Sequence, residues 1–162
     1  MSSPGLAADI IRGTSGASPC LAYTVGNGQQ LQLGMLSCQL TTDTTAAGHV
    51  AELLVQNSPS GTLLRLPDTS DLAANSAVQL TFGVGLPESR VVAGAGQAVT
   101  LPLPDIIIPE GSTLTLRTLS WAGAVVTGDV FASVVMVGNI IELGSILSPA
   151  DSSPNPLLVP SS

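Results

Sequence analysis

The side chains able to do chemistry are few, and their spacing argues against a shared reaction. His49 is the one imidazole in 162 residues. A Ser-His-Asp arrangement would have to recruit Asp43 and one of many serines, yet no Gly-x-Ser-x-Gly elbow occurs to present a nucleophile. His49 follows the loop 41–48 and stands at the start of an expected strand, where a polar residue needs no catalytic explanation. Paired carboxylates for glycoside hydrolysis could come from Asp68, Asp71, Asp105 or Glu110. All four fall in expected loops, where acids are ordinarily solvated, and no calcium-loop spacing joins Asp68 to Asp71. Gly83-Val-Gly85 and Gly94-Ala-Gly96 lack the third glycine and the lysine of phosphate-cradling loops, so they read as turns. Cys20 and Cys38 are the only cysteines. With one histidine they cannot close a zinc site, and they read as small buried apolar residues, a disulfide between neighbouring strands being the alternative. Trp121, beside Gly123, could stack on a sugar, although a single tryptophan near a strand end is more often a packing residue. No enzyme and no cofactor is expected.

The charge balance narrows the partners. The chain has no lysine and only Arg12, Arg65, Arg90 and Arg117 against eleven acids, for a net charge of -7. Phosphate recognition needs clustered positive charge, so nucleic acid is excluded as an expected ligand. Charged residues are 9% of the chain, whereas a soluble domain carries roughly 25%, and mean hydropathy is +0.48. So uncharged a surface points to burial against partners. The longest apolar stretch, residues 121–138, is interrupted by Thr127 and Asp129 and falls short of the ~20 apolar residues that span a bilayer. No signal peptide is visible at the N-terminus, and the expectation is synthesis in the cytoplasm without a membrane.

Positioning these residues falls to strands. Composition divides the chain into a Ser/Gly/Pro-rich N-terminal arm (1–19), a domain of strand patterns (20–143) and a proline-punctuated C-terminal arm (144–162). The middle region predicts about eight strands: 20–25, 29–42, 49–56, 62–66, 77–84, 98–103, 112–120 and 129–137. The clearest is 77–84, where Val78, Leu80, Phe82 and Val84 alternate with small or polar residues. Within 29–42 the apolar parity changes between Leu31, Leu33, Met35 and Leu36, Cys38, Leu40, which predicts a bulge near Gly34. The last strand is apolar on both parities, which predicts a central strand or one covered by a neighbouring subunit. Aromatic residues are just 2% of the chain, so the core must be aliphatic. Trimer or higher assembly is expected to supplement its burial. Apolar anchors in the arms, Ile10 and Ile11 at one end and Ile146, Leu147, Leu157, Leu158 and Val159 at the other, are expected to bind partners together with Phe131, Val135 and Val137 of the last strand.

The strand text also resembles a known group. Leu36-Ser-Cys-Gln-Leu-Thr-Thr-Asp-Thr-Thr45, the following strand His49-Val-Ala-Glu-Leu-Leu-Val-Gln56, the run Leu101-Pro-Leu-Pro-Asp-Ile-Ile-Ile-Pro-Glu-Gly-Ser-Thr-Leu-Thr-Leu-Arg-Thr118 and the Thr127-Gly-Asp129 loop are similar, in order and pattern over residues 29–137, to β-sandwich virion proteins of short tailed bacteriophages. Two features depart from that pattern: the last strand continues as Val-Met-Val-Gly-Asn-Ile-Ile-Glu-Leu143, and a proline-rich tail follows. The resemblance implies a single antiparallel, jelly-roll-like β-sandwich with extended arms. It also implies a non-enzymatic capsid decoration (cement) protein that stabilises the major-capsid lattice, with the major capsid protein or other virion proteins as partners. The alternatives are a neck, tail or head-fibre component, or a carbohydrate-binding module for host attachment.

Overall fold

A computed structural model describes residues 8–46, 48–57, 61–93 and 96–143. Twelve strands and no helical element are found among them: β1 (Asp9–Arg12), β2 (Gly16–Ala17), β3 (Cys20–Thr24), β4 (Gln29–Thr41), β5 (Val50–Asn57), β6 (Gly61–Pro67), β7 (Ala77–Val84), β8 (Ser89–Ala93), β9 (Gly96–Leu103), β10 (Ile107–Ile108), β11 (Ser112–Leu119) and β12 (Val130–Glu142). They form two sheets. The larger runs β1-β12-β4-β7-β9-β8, with β2 also on β12 and β10 on β4; the smaller runs β3-β11-β5-β6.

Period-two alternation decides which face each strand buries. Ser112, Leu114, Leu116 and Thr118 of β11 point inward, as do Val78, Leu80 and Phe82 of β7. Inward side chains from both sheets meet in one hydrophobic cluster, which includes Cys20, Ala22, Leu53 and Val55 from the smaller sheet and Leu31, Leu36, Leu40 and Met136 from the larger. The arrangement is all-β and sandwich-like. Each fully buried leucine or phenylalanine contributes roughly 1.5–3 kcal/mol, and in this core aliphatic residues supply most of it.

Two irregularities set the register of the long central pair. Val137 lies opposite Met35 while Gly138 lies opposite Leu33, so Gly34 is the extra residue of a bulge on β4, where the parity change placed it. A second shift lies between Ala132 and Val135 of β12, where Ser133 takes a φ of 52°. It is one reason why β12 looks apolar on both faces. Phe131 points into the core before the shift, and Val134 and Met136 point into it afterwards. The change of parity accounts for the inward Phe131, Val134 and Met136, while Val135 and Val137 are half-buried on the opposite face of a strand that lies between β1 and β4.

Three expectations are revised. The sheets are not purely antiparallel, because β7 and β9 pair in parallel, with β8 outside them. Twelve strands replace about eight; the four extra ones (β1, β2, β8 and β10) are short and lie at sheet margins. Within the expected N-terminal arm, β1 and β2 pair with β12 of the same chain, so residues 9–12 and 16–17 belong to the larger sheet. Ile146, Leu147, Leu157, Leu158 and Val159, with the rest of 144–162, lie outside the described residues.

Candidate functional site

A cluster of buried polar residues lies where the β4–β5, β6–β7 and β11–β12 connections meet. Thr42 ties the first two together. Its hydroxyl donates to the Ala73 carbonyl (2.7 Å) and accepts the Ser76 N–H (2.8 Å), and its own N–H donates to the Ser76 carbonyl (2.9 Å). The Leu72 N–H donates to the His49 carbonyl (2.9 Å). Asp129, just before β12, braces the third connection: one carboxylate oxygen accepts the Asp43 N–H (2.8 Å), and its carbonyl accepts the Ser18 N–H (2.8 Å).

His49 sits at the centre and is fully enclosed, as is Asp129. Its Nδ1 is 2.7 Å from Asp129 Oδ2, and its Nε2 is 2.7 Å from the Thr45 carbonyl oxygen. Both neighbours are acceptors only. Satisfying them requires hydrogen on both ring nitrogens, that is, the imidazolium form. Burial pulls the His49 pKa down, but the Asp129 hydrogen bond, the Thr45 carbonyl and the negative charges of Asp129 and Asp43 outweigh it and raise it above its ordinary value. Asp43 Oδ1 lies 3.8 Å from Nε2 and accepts the Thr45 N–H (2.9 Å).

Asp43, His49 and Asp129 bring potential metal ligands within 4.8 Å of one another. A metal needs a ring-nitrogen lone pair, as does a general base. In the doubly protonated form His49 offers neither, and a metal would have to displace those protons. In that form the trio is an ionic brace between the β4–β5 and β11–β12 connections. Asp43, weighed as a partner for His49 in the sequence, does lie beside it; Asp129, 80 residues away in the chain, makes the direct bond and had no local signal to reveal it.

The four loop acids weighed as a carboxylate pair have separate engagements. Asp68 is buried and holds Arg90 through both oxygens (2.5 and 2.6 Å). Asp71 accepts the Trp121 indole N–H (2.8 Å), Asp105 accepts from Gln32 (3.2 Å), and Glu110 accepts the Gly28 N–H (2.9 Å). A further buried acid, Glu52 on β5, accepts from Arg65 (2.8 and 2.6 Å) on β6 and Arg117 (2.6 Å) on β11. Three of the chain's four arginines are thus engaged with internal carboxylates. Cys20 and Cys38 are buried free thiols.

Comparison with protein-family models, curated proteins and solved structures gives no match to this chain.

Of the residues expected to meet partners, Ile10 is 77% exposed on β1, whereas Ile11 is half-buried against the core. Phe131 is enclosed in the chain's own core, so it packs rather than presents a surface. Val137 and Val135 lie opposite Ile10 and Arg12 of β1 and are half-buried. Further exposed aliphatic side chains lie at sheet margins, Leu21 on β3, Leu63 on β6, Val91 and Val92 on β8 and Ile107 on β10, and on interior strands at Val84 of β7 and Val130 of β12. Trp121 is also largely exposed, in the turn after β11.

Proposed function

We propose that this chain is a structural subunit of a larger protein assembly, and specifically a jelly-roll-like bacteriophage virion protein of the capsid-decoration kind. One observation carries the reading. Both margins of both sheets bear an exposed large aliphatic side chain: Ile10 on β1, Val91 and Val92 on β8, Leu21 on β3 and Leu63 on β6. The chain has no lysine to guard these edges. Edge strands of free-standing proteins are normally blunted by charge, because their unpaired N–H and C=O groups template association. Charges do stand on these edges, at Asp9 and Arg12 of β1, Arg65 of β6 and Arg90 of β8, but the large aliphatic side chains exposed beside them suit a protein whose edges are covered by neighbours. Arginines drawn into internal ion pairs and a net charge of -7 further favour protein partners over nucleic acid.

In this reading the chain is made in the host cytoplasm and added to the virion, as a homo-oligomer with a trimer favoured, where its edges and termini bury apolar surface on the major capsid protein. The function is mechanical. Burial contributes roughly 25 cal/mol per Å² of apolar area, offset by the entropy of ordering whatever segment is bound.

Quantitative mass spectrometry of particles purified from cells that encode the chain tests this. Hundreds of copies per particle are expected of a decoration protein, whereas about six to twelve would move it to a neck or tail ring. Absence from particles would overturn the reading. Truncation after Leu143 tests the tail separately: unchanged incorporation would remove the C-terminal residues from the binding surface.

A further inference from the structure

Trp121 is the chain's one tryptophan, and it is 72% exposed. The turn that carries it is firmly made. The Gly123 N–H donates to the Ser120 carbonyl (2.8 Å), the Ser120 N–H donates to the Ala124 carbonyl (2.7 Å), and Gly123 has a φ of +86°. The indole N–H donates to Asp71 (2.8 Å), which fixes the ring's rotation. Gly48 lies beneath the ring at a φ of +92°; a Cβ there would meet Nε1, Cδ1 and Cε2 at 2.5–2.8 Å. Near-equal distances to three atoms of the pyrrole ring mean that backbone supports one face of the indole. High exposure leaves the other face open. The ring and Asp71 also line a shallow groove with His49, Ala73, Ala74 and, from the side of the covered face, Gly48.

We infer that the open indole face beside this groove, with Asp71 at its edge, receives a positively charged side chain, an arginine or lysine, from a partner protein. An open indole face attracts a cation through its quadrupole, most strongly when the pair is desolvated. Asp71 supplies a carboxylate at the ring's edge, with an oxygen beyond the one the indole uses, and so adds charge to the stack. The surrounding charge has the matching sign. His49 is answered by Asp129 and Asp43, while Arg65, Arg90 and Arg117 are engaged elsewhere. The groove is left net negative on a chain of net charge -7. Tryptophan and arginine are also the side chains that most often dominate binding at protein interfaces. The inference rests on the assembly reading for the partner's being a protein, and it adds the chemistry that the partner presents.

The single tryptophan makes the test direct, since fluorescence excited beyond Tyr23 absorption reports on Trp121 alone. The probes are the peptide acetyl-Gly-Arg-Gly-amide and its citrulline counterpart, which keeps the shape and loses the charge. Arginine peptide is expected to give a saturable millimolar change, with citrulline at least about tenfold weaker and the response reduced by added salt. Asp71→Asn keeps an acceptor for the indole while removing the charge, and should weaken arginine binding without altering the fold. Trp121→Ala, checked for folding by circular dichroism and followed through the amide resonances of Thr45 and Ala73, should abolish it. Equal binding of citrulline, or no saturable change, would overturn the inference. Saturation by neutral methyl glycosides in place of arginine would also overturn it and make the groove a sugar site. Particle copy number separates the two proposals: arginine binding by a chain absent from particles would sink the assembly reading alone, and abundant incorporation without arginine binding would sink the groove alone.

Discussion

At the residue scale, His49 determines how the loop end of the molecule behaves. A buried imidazolium between Asp129 and the Thr45 carbonyl has a folded pKa raised above its ordinary value near 6.5. The folded state therefore holds this proton more tightly than the unfolded state, and the sign follows. Its stabilisation is complete below the unfolded pKa and is lost as pH rises through the higher folded value. Urea midpoints followed from about pH 5 to about pH 9 should fall over the upper part of that range. His49→Ala should lower stability by roughly 3–5 kcal/mol at acidic pH, since it strands the Asp129 charge, and should flatten the dependence. A midpoint that rises with pH in the native chain would contradict the imidazolium assignment. Cys38 offers a second measurement. Burial, and then the neighbouring Cys20, pushes its thiol up to about 12 from 9.0. Thiolate is the reactive form, so its population at pH 8 falls roughly a thousandfold. An aromatic disulfide reagent should leave Cys38 unlabelled in the native chain and react with both cysteines in urea. Rapid native labelling would show that the core opens.

At the element scale, the strands legible in the sequence are those whose alternation encodes burial on one face. β7 and β11 are of that kind, and the Gly34 bulge was readable because it changes the parity of inward residues. Marginal strands leave a weaker mark. β8 is five residues long and shows Val91 and Val92 to solvent at 57% and 66% exposure, so no alternation betrays it. β12 runs past Val137 to Glu142 although Gly138-Asn139 resembles a break, because β4 supplies partners as far as Gln29. Gly138 is needed there: a Cβ would stand 2.5 Å from the Gln32 carbonyl oxygen. The candidate site was less legible still. His49 with Asp129, and Trp121 with Asp71, are loop pairs brought together only by the sheets that separate them in the chain. The β8 edge yields its own prediction. Val91→Lys with Val92→Lys exchanges exposed apolar surface for charge on an open edge. Stability should change by less than about 1 kcal/mol, while the weight-average mass in sedimentation velocity should drop toward that of the monomer. Unchanged association would move the interface to another margin.

At the scale of the whole molecule, two surface properties oppose each other. Aliphatic side chains at both margins of both sheets favour association, while a net charge of -7 opposes it among identical copies. Pairing with buried carboxylates engages three arginines: Arg65 and Arg117 serve Glu52, and Arg90 serves Asp68, although Arg65 stays 53% exposed. Four arginines and no lysine against eleven acids leave few cations for ion pairs between copies. Screening distinguishes the two terms, because the Debye length shrinks from about 30 Å at 0.01 M salt to about 8 Å at 0.15 M. Self-repulsion fades over that range, whereas hydrophobic attraction does not. The weight-average mass of the purified chain should therefore rise with sodium chloride and rise again with sulfate, which strengthens apolar burial. It should also rise as pH approaches the isoelectric point near 4.1, where repulsion vanishes. A mass that falls as salt is added would mean that copies meet through charge, with exposed Arg12 and half-exposed Arg65 as cations to supply it, and the aliphatic margins would then belong to a different partner.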